Sequence, residues 1–181
     1  QGLVVLQAGK ISRIRYAHFD NLSSARSKGW NLTGALTFYE SPVEMFNVII
    51  SGNKSEDGLN IVRSSFSVKD SIFSDGFSDA IDVDFGEGVI ETSQFNRPGN
   101  DAIDVSQSKL RVHNIIIENA RDKAISIGES SYATGSDIQI RKSDIGVASK
   151  DLSNVEFSNI WIDNSRIGLT AYQKKPEYGP G

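Results

Sequence analysis

The apolar and polar residues of this chain follow a pattern that recurs about every 22 residues. Most repeats contain a small residue followed by an apolar, a polar and an apolar residue. These units begin at Ala35, Gly58, Ala80, Ala102, Ala124, Gly146 and Gly168, and each step is 22 residues except the first, which is 23. A second apolar column has the same period: Ile50, Phe73, Phe95, Ile117, Ile140 and Ile162. Two columns with one period indicate a repeat architecture.

Within each period, apolar and polar residues alternate as they do in β-strands with one buried side. Leu110-Arg-Val-His-Asn and Val155-Glu-Phe-Ser-Asn are examples. We therefore predict an all-β fold, a right-handed parallel β-helix of about seven to eight coils of 22–23 residues. One column is expected to stack inside it, namely Leu59, Ile81, Ile103, Ile125, Val147 and Leu169. A leucine-rich repeat has a similar period, but this chain has few leucines and a second strand in each repeat.

A further column contains residues that favour tight turns. It consists of Asn47, Asp70, Thr92, Asn114, Asp137 and Asn159. Their side chains can bond neighbouring backbone groups, so this column predicts a ladder of structural turns between strands.

The rhythm is broken once, near the start of the chain. Phe19 fits the position equivalent to Ile50 one coil earlier, yet 31 residues separate the two. This longer spacing predicts a loop insertion at about residues 22–34. Arg26, Lys28 and Trp30 on this loop could contact a ligand, although a plain surface loop is the simpler interpretation. We expect residues 1–181 to form one β-helix domain that is a segment of a longer protein.

Composition and charge exclude several classes of function. With 19 basic and 23 acidic residues, the net charge is −4, so no basic field attracts nucleic acid. The chain has no cysteine, which excludes disulfides, thiolate metal sites and a cysteine nucleophile. No apolar run approaches the roughly 18 residues of a membrane span.

The alternation also predicts which side chains face outward in the repeated phrase DAIDV, at 79–83 and 101–105. If Ile81 points inward, Asp82, Asp84 and Asp104 point outward. These three carboxylates, with Lys150, are the candidate catalytic residues. The candidate substrate-binding residues lie in the same columns, in the turn before the strand or on the inserted loop: Asp79, Asp101, Lys123, Tyr39, Tyr172 and Trp30.

Stacked carboxylates at about 5 Å repel each other, so one of a pair should stay protonated unless a cation neutralises it. Such a pair suits glycoside hydrolysis, in which one acid protonates the leaving oxygen and the other attacks or activates water. A calcium ion is an alternative, because Ca²⁺ prefers several oxygen ligands. The simplest interpretation is that these residues only solubilise the surface and close its turns.

The repeat pattern of residues 3–172 resembles that of the right-handed β-helix proteins that include pectate lyases, polygalacturonases and mannuronan epimerases. In polygalacturonases, successive coils carry N-T-D, G-D-D, G-H-G-x-S-I-G and R-I-K. The corresponding segments here are FSDAID, GNDAID, DKAISIG and IGVASK. The resemblance implies that Asp79 and Asp101 are site carboxylates and that Lys150 binds a substrate carboxylate.

Three departures from the polygalacturonase motifs argue against that hydrolase activity. Asn100 replaces the first aspartate of the pair, Lys123 stands where histidine is required, and no arginine precedes Lys150 at the required position. The D-P-H-D motif of the epimerases is absent from the sequence. Asp82, Asp84 and Asp104 with Lys150 resemble the calcium-bound carboxylates and base of pectate lyases only loosely.

We expect an extracellular or cell-envelope domain that binds or processes a polysaccharide along its outward strand face. Whether it is an enzyme stays open. The alternative is a structural or adhesive solenoid of a cell-surface protein or filament that self-associates through its open ends, where backbone groups would lack strand partners.

Overall fold

The structure, a computed structural model, describes residues 1–27 and 30–181; for residues 27 and 30 it describes the backbone alone. The strands in the described part are β1 (Leu3–Leu6), β2 (Ser12–Asp20), β3 (Arg26–Ser27), β4 (Trp30–Asn31), β5 (Gly34–Tyr39), β6 (Val43–Ser51), β7 (Asp57–Val62), β8 (Ser65–Lys69), β9 (Ile72–Ser74), β10 (Asp79–Asp84), β11 (Glu87–Glu91), β12 (Gln94–Asn96), β13 (Ile103–Ser106), β14 (Lys109–Glu118), β15 (Lys123–Gly128), β16 (Tyr132–Arg141), β17 (Ile145–Lys150), β18 (Asn154–Asp163) and β19 (Ile167–Tyr172). The described residues contain no helix that could cross a membrane.

Parallel strands wind into a β-helix with three faces. The first face is an eight-stranded sheet in the order β1-β5-β7-β10-β13-β15-β17-β19. The second sheet contains β2, β6, β8, β9, β11, β12, β14, β16 and β18. A corner within each coil divides this sheet into a second and a third face. The long strands β6, β14, β16 and β18 pass through the corner, whereas two coils are split there into β8 and β9, and β11 and β12.

The predicted inward columns are confirmed by the strand register. Ile81 pairs with Leu59 on one side and with Ile103 on the other, and all three are fully buried. In the third face, Phe73 and Phe95 stack with ring centroids 5.1 Å apart. Phe19 pairs with Ile50, as the pattern predicted. Each apolar side chain therefore packs on its equivalent one coil away, at the strand spacing of about 4.8 Å.

The predicted turn ladder is also confirmed, as the corner between the second and third faces. Every member has a left-handed backbone, with φ between 48° at Thr92 and 59° at Asp137. Two further columns of left-handed residues close the coil. The first corner, after the first face, includes Glu40, Arg63, Phe85 and Gln107, and the third corner includes Asp75, Arg97, Asn119 and Lys142. Left-handed residues at three places per coil let one strand turn sharply into the next.

Buried serines next to the first corner complete the hydrogen bonding there. The Ser108 hydroxyl accepts the Gly86 N–H at 2.8 Å and donates to the Ser106 carbonyl at 2.7 Å. The Ser131 hydroxyl accepts the Ser108 N–H at 3.0 Å in the same way. At a corner the backbone ladder is interrupted, so a hydroxyl takes the place of the missing carbonyl.

The helix has about six turns, slightly fewer than the predicted seven to eight coils. Six steps of 22 or 23 residues run from Ala35 to Gly168. The step before them is longer, because Leu3 pairs with Leu36 across 33 residues. This step contains an antiparallel hairpin of β3 and β4. Lys28 and the side chain of Trp30, which were ligand-contact candidates, lie outside the described residues.

Thr92 is the β-branched member of its corner column, and β-branched residues fit the left-handed region poorly. We expect Thr92→Asn to raise the free energy of unfolding by about 1 kcal/mol. The reverse change one coil away, Asn114→Thr, should lower it by a similar amount. Urea denaturation followed by circular dichroism measures both. Equal stabilities for the two variants would contradict the role assigned to this corner.

Candidate functional site

The outward side of the first face brings the repeated aspartates together as predicted. Asp82 pairs in register with Asn60 on one side and with Asp104 on the other, and Asp84 pairs with Ser106. Parallel pairing without a bulge keeps equivalent side chains on one side of the sheet. The two copies of DAIDV thus form one acidic surface on adjacent coils.

Asp82 lies at the centre of this surface. Its carboxylate Oδ2 accepts a hydrogen bond from Asn60 Nδ2 at 3.0 Å. Burial, together with the nearby charges of Asp57, Asp84 and Asp104, raises the pKa of Asp82 to about 9. Although the residue is partly accessible, it is surrounded by carboxylates, so its neutral form is favoured at pH 7.

Asp104 is linked to the buried Lys150, two coils away. Lys150 Nζ lies 3.6 Å from Asp104 Oδ1, and the lysine is only 4% exposed. Gly128 lies between them, and a Cβ at this glycine would be 3.0 Å from Lys150 Cε. The glycine therefore leaves space for the lysine to reach back towards Asp104. The Asp104 carboxylate also accepts its neighbouring Val105 N–H at 3.0 Å.

The candidate substrate-binding residues in the row before the strand of the first face are more buried than residues that contact a substrate should be. Asp79, Asp101 and Lys123 are 9%, 2% and 8% exposed. The Asp79 carboxylate accepts the Asp101 N–H at 2.8 Å, and the Asp101 carboxylate accepts the Lys123 N–H at 2.8 Å. Each aspartate thereby binds the backbone of the following coil. Lys123 Nζ also lies 3.4 Å from Asp101 and contacts Asp122.

The same row carries shifted pKa values. Burial raises the pKa of Asp57 and of Asp101 to about 7, and it raises the pKa of Asp79 as well. Burial alone would lower the pKa of Lys123, but Asp122 and Asp101 outweigh it and hold that pKa above its usual value.

The remaining candidates lie at the edge of the first face, beside the first corner. Tyr39 is half-buried and accepts a hydrogen bond from Arg63 Nη1 at 3.0 Å. Tyr172 is also half-buried and pairs in register with Lys150. Burial raises the pKa of Asp84, and the charges of Glu129 and Asp104 add to this effect.

Three site residues were not singled out from the sequence. Asp57 begins β7 one coil before Asp79, and its Oδ2 has no hydrogen-bond partner in the described part of the chain. Phe77 and Phe85 flank the acidic strand β10 and are 73% and 48% exposed. The Arg63 guanidinium lies 5.1 Å from the centre of the Phe85 ring. Both phenylalanines are large apolar residues outside the inward columns, and this could have indicated from the sequence that their side chains are exposed.

The C-terminal segment lies against the first corner, beside the acidic surface. The Asp151 carboxylate accepts the Lys174 and Lys175 N–H groups at 2.6 and 2.8 Å. Lys175 forms an ion pair with Glu129, and Gln107 donates to the Tyr178 hydroxyl at 2.5 Å. This segment lies outside the repeat, so the pattern carried no information about it.

The residues present do not fit the calcium alternative. In residues 1–27 and 30–181, no group of three or more acidic or histidine side chains is placed to hold a metal ion.

The raised pKa values make stability depend on pH. Unfolded aspartates lose their protons near pH 3.8, whereas Asp57 and Asp101 do so near 7 and Asp82 near 9 in the fold. The folded state therefore binds more protons between about pH 4 and 9, and this contribution to stability falls as pH rises through that window. Aspartates with lowered pKa act in the opposite direction only at lower pH.

We expect the urea midpoint to decrease from pH 5 to pH 9. Asp82→Asn removes one proton-binding group. At pH 9 the free energy of unfolding of this variant should therefore exceed that of the parent by on the order of 1 kcal/mol. Asp163→Asn, on the third face, is the matched control and should leave the slope unchanged. Parallel pH profiles for the parent and Asp82→Asn would contradict the raised pKa of Asp82.

Comparison with known proteins supports the architecture. No curated protein shows significant similarity to the chain. The family model described as the right handed beta helix region matches residues 57–177, which is more than half of the chain and includes both copies of DAIDV and Lys150. With the parallel strands and stacked inward columns, this match confirms the predicted hand of the helix. The chain belongs to the right-handed β-helix family.

Proposed function

We propose that this domain binds a polysaccharide along the outward side of its first face, in an extracellular or cell-envelope setting. The observation that carries the proposal is the pair of Asp82 and Asp104 on adjacent coils. One carboxyl is favoured in its neutral form, and the other lies beside a buried lysine. The pair thus offers both a donor and an acceptor to sugar hydroxyls.

Other groups on this face support sugar binding. Phe77 and Phe85 expose their rings on either side of β10 in sequence. Aromatic rings pack against the apolar faces of sugars, while carboxylates bond the hydroxyls.

The same pair has the chemical capacity for glycosidic bond cleavage. Strands one coil apart are about 4.8 Å apart. Retaining glycosidases use two carboxyl groups about 5–5.5 Å apart, one of them an acid with a raised pKa. Asp82 would protonate the leaving oxygen, and Asp104 would act as the nucleophile. Lys150 Nζ, 3.6 Å from Asp104 Oδ1, would help to position that carboxylate.

An oligosaccharide array with neutral and acidic glycans tests this proposal. We expect at least one saturable ligand, and the double variant Asp82→Ala with Asp104→Ala should weaken its binding by at least about tenfold, because the central donor and acceptor are lost. Reducing-sugar release from the bound glycan tests for cleavage, which Asp82→Asn should abolish.

The matched control is Asp163→Ala with Asp75→Ala, which removes two carboxylates away from the first face. Circular dichroism must show an intact β-helix in both double variants. If every glycan that the parent binds is bound as tightly by the Asp82 and Asp104 double variant, the assignment to this face is refuted.

A second candidate function is a structural solenoid that associates through its ends. At one end, Leu169 is 66% exposed, and a cavity of about 330 Å³ is lined by Val147, Val155, Phe157 and Ile160. The last strands β18 and β19 each have a partner on one side only among the described strands. Exposed core residues beside an open strand edge favour the addition of a further coil.

Light scattering across a concentration series tests end-to-end association. We expect mass to rise with concentration and Leu169→Asp to shift the chain to monomer, because a charge at the open end opposes burial. Lys109→Asp, on the second face, is the control. A parent chain that stays monomeric at every concentration would rule out this second candidate.

A further inference from the structure

A groove on the opposite side of the β-helix, away from the acidic surface, has the features of a ligand site. It is open, has a volume of about 580 Å³ and follows the corner between the second and third faces. The residues that line this groove include His113, Asp137, Gln139, Arg141, Asn159 and Trp161. They come from β14, β16 and β18, whose register places them on three successive coils.

Trp161 provides an exposed aromatic surface in this groove. The residue is 47% exposed and stands on the third face, in register with Gln139 one coil before it. The Arg141 guanidinium lies 4.8 Å from the centre of the indole ring. Arg141 in turn donates to Glu118 Oε1 at 3.2 Å. An indole held by a paired arginine on a rigid sheet is pre-ordered for stacking, so little entropy is lost on binding.

The polar groups around Trp161 are side chains that bond hydroxyl groups well. Asn159 donates to Asp137, and Ser136 donates to the same carboxylate at 2.9 Å. His113 Nδ1 lies 2.9 Å from Ser136 Oγ and 3.2 Å from Asp137 Oδ2. Gln139 is exposed and makes no side-chain hydrogen bond with any described residue. The groove therefore combines a fixed polar network with one free amide.

The charged groups in the groove are already engaged by neighbouring side chains. Arg141 is paired with Glu118, and the Asp137 carboxylate accepts hydrogen bonds from Asn159 and Ser136 and lies 3.2 Å from His113. An anionic ligand would find Arg141 already paired and would be repelled by the Asp137 carboxylate. A neutral ligand with many hydroxyls and an apolar ring face meets no such repulsion.

We propose that this groove binds a neutral oligosaccharide, with one sugar ring stacked on Trp161 and its hydroxyls bonded by Gln139, Asn159 and Asp137. The strand spacing of about 4.8 Å is close to the length of a sugar ring, so consecutive rings can meet consecutive coils. This site is separate from the first face and does not depend on the function proposed there.

Tryptophan fluorescence provides a direct test. The chain has two tryptophans, so Trp30→Phe leaves Trp161 as the single reporter. We expect cellohexaose, xylohexaose or mannohexaose to shift the emission of this variant saturably, and trigalacturonate to leave it unchanged. If none of the three neutral hexasaccharides shifts the emission, the proposal is wrong.

Calorimetric titration of the responding hexasaccharide then assigns the residues. Trp161→Ala should weaken binding by at least about tenfold, Gln139→Ala should weaken it less, and Trp161→Tyr should retain most of the affinity because stacking is kept. Tyr132→Ala is the matched control. Like Trp161, Tyr132 is an exposed aromatic residue, but it lies at the start of β16 and outside this groove.

The emission of Trp161 separates this site from the acidic surface. In the Trp30→Phe background, Asp82→Ala with Asp104→Ala should leave the saturable emission shift of Trp161 unchanged, whatever glycan the first face binds. Circular dichroism and the thermal midpoint establish that each variant is folded. Unchanged affinity in folded Trp161→Ala, or loss of the Trp161 emission shift in the Asp82 and Asp104 double variant, would overturn the assignment to the groove.

Discussion

The structure depends on the stacking of equivalent residues one coil apart. Parallel hydrogen bonds fix the spacing between coils at about 4.8 Å. Each inward apolar residue is then covered by its counterparts above and below, as Ile81 is by Leu59 and Ile103. A single coil could not bury such a row, because its inward side chains would face water at both edges. Stability is therefore a property of neighbouring coils rather than of separate elements.

The same constraint acts on polar side chains, with opposite consequences. An asparagine, serine or phenylalanine column gains contacts when it is repeated, as Phe73 and Phe95 do. A repeated aspartate instead meets a like charge. Around Asp82, burial and this repulsion together raise the pKa of the carboxyl, whereas Lys123 and Lys150 lie beside the carboxylates of Asp101 and Asp104. Backbone N–H groups stabilise Asp79 and Asp101 in addition.

The two proposed ligand surfaces use different parts of this geometry. On the first face, repetition concentrates carboxylates, so proton exchange and hydrogen bonding dominate its chemistry. At the corner between the second and third faces, left-handed residues turn the chain, and the groove beside Trp161 and Gln139 follows this corner. The first surface carries clustered carboxylates, whereas in the groove Arg141 is paired with Glu118 and Asp137 is hydrogen-bonded by neutral side chains. A rigid repeat can therefore present two surfaces of different chemistry without a change in its core.

The sequence alone determined the period, the parallel stacking, the inward columns and the ladder of turns, because each of these follows from residues that recur at one spacing. It also placed Asp82, Asp84 and Asp104 together on one side, since strand alternation and register are periodic. Only the tertiary structure decided how buried Asp79, Asp101, Lys123 and Lys150 are, because burial depends on the neighbouring coils and on the C-terminal segment beside the first corner. It also decided the roles of Asp57, Phe77 and Phe85 and the groove at Trp161. Those residues come together through contacts between coils, and the hydrophobic pattern does not encode such contacts between outward side chains.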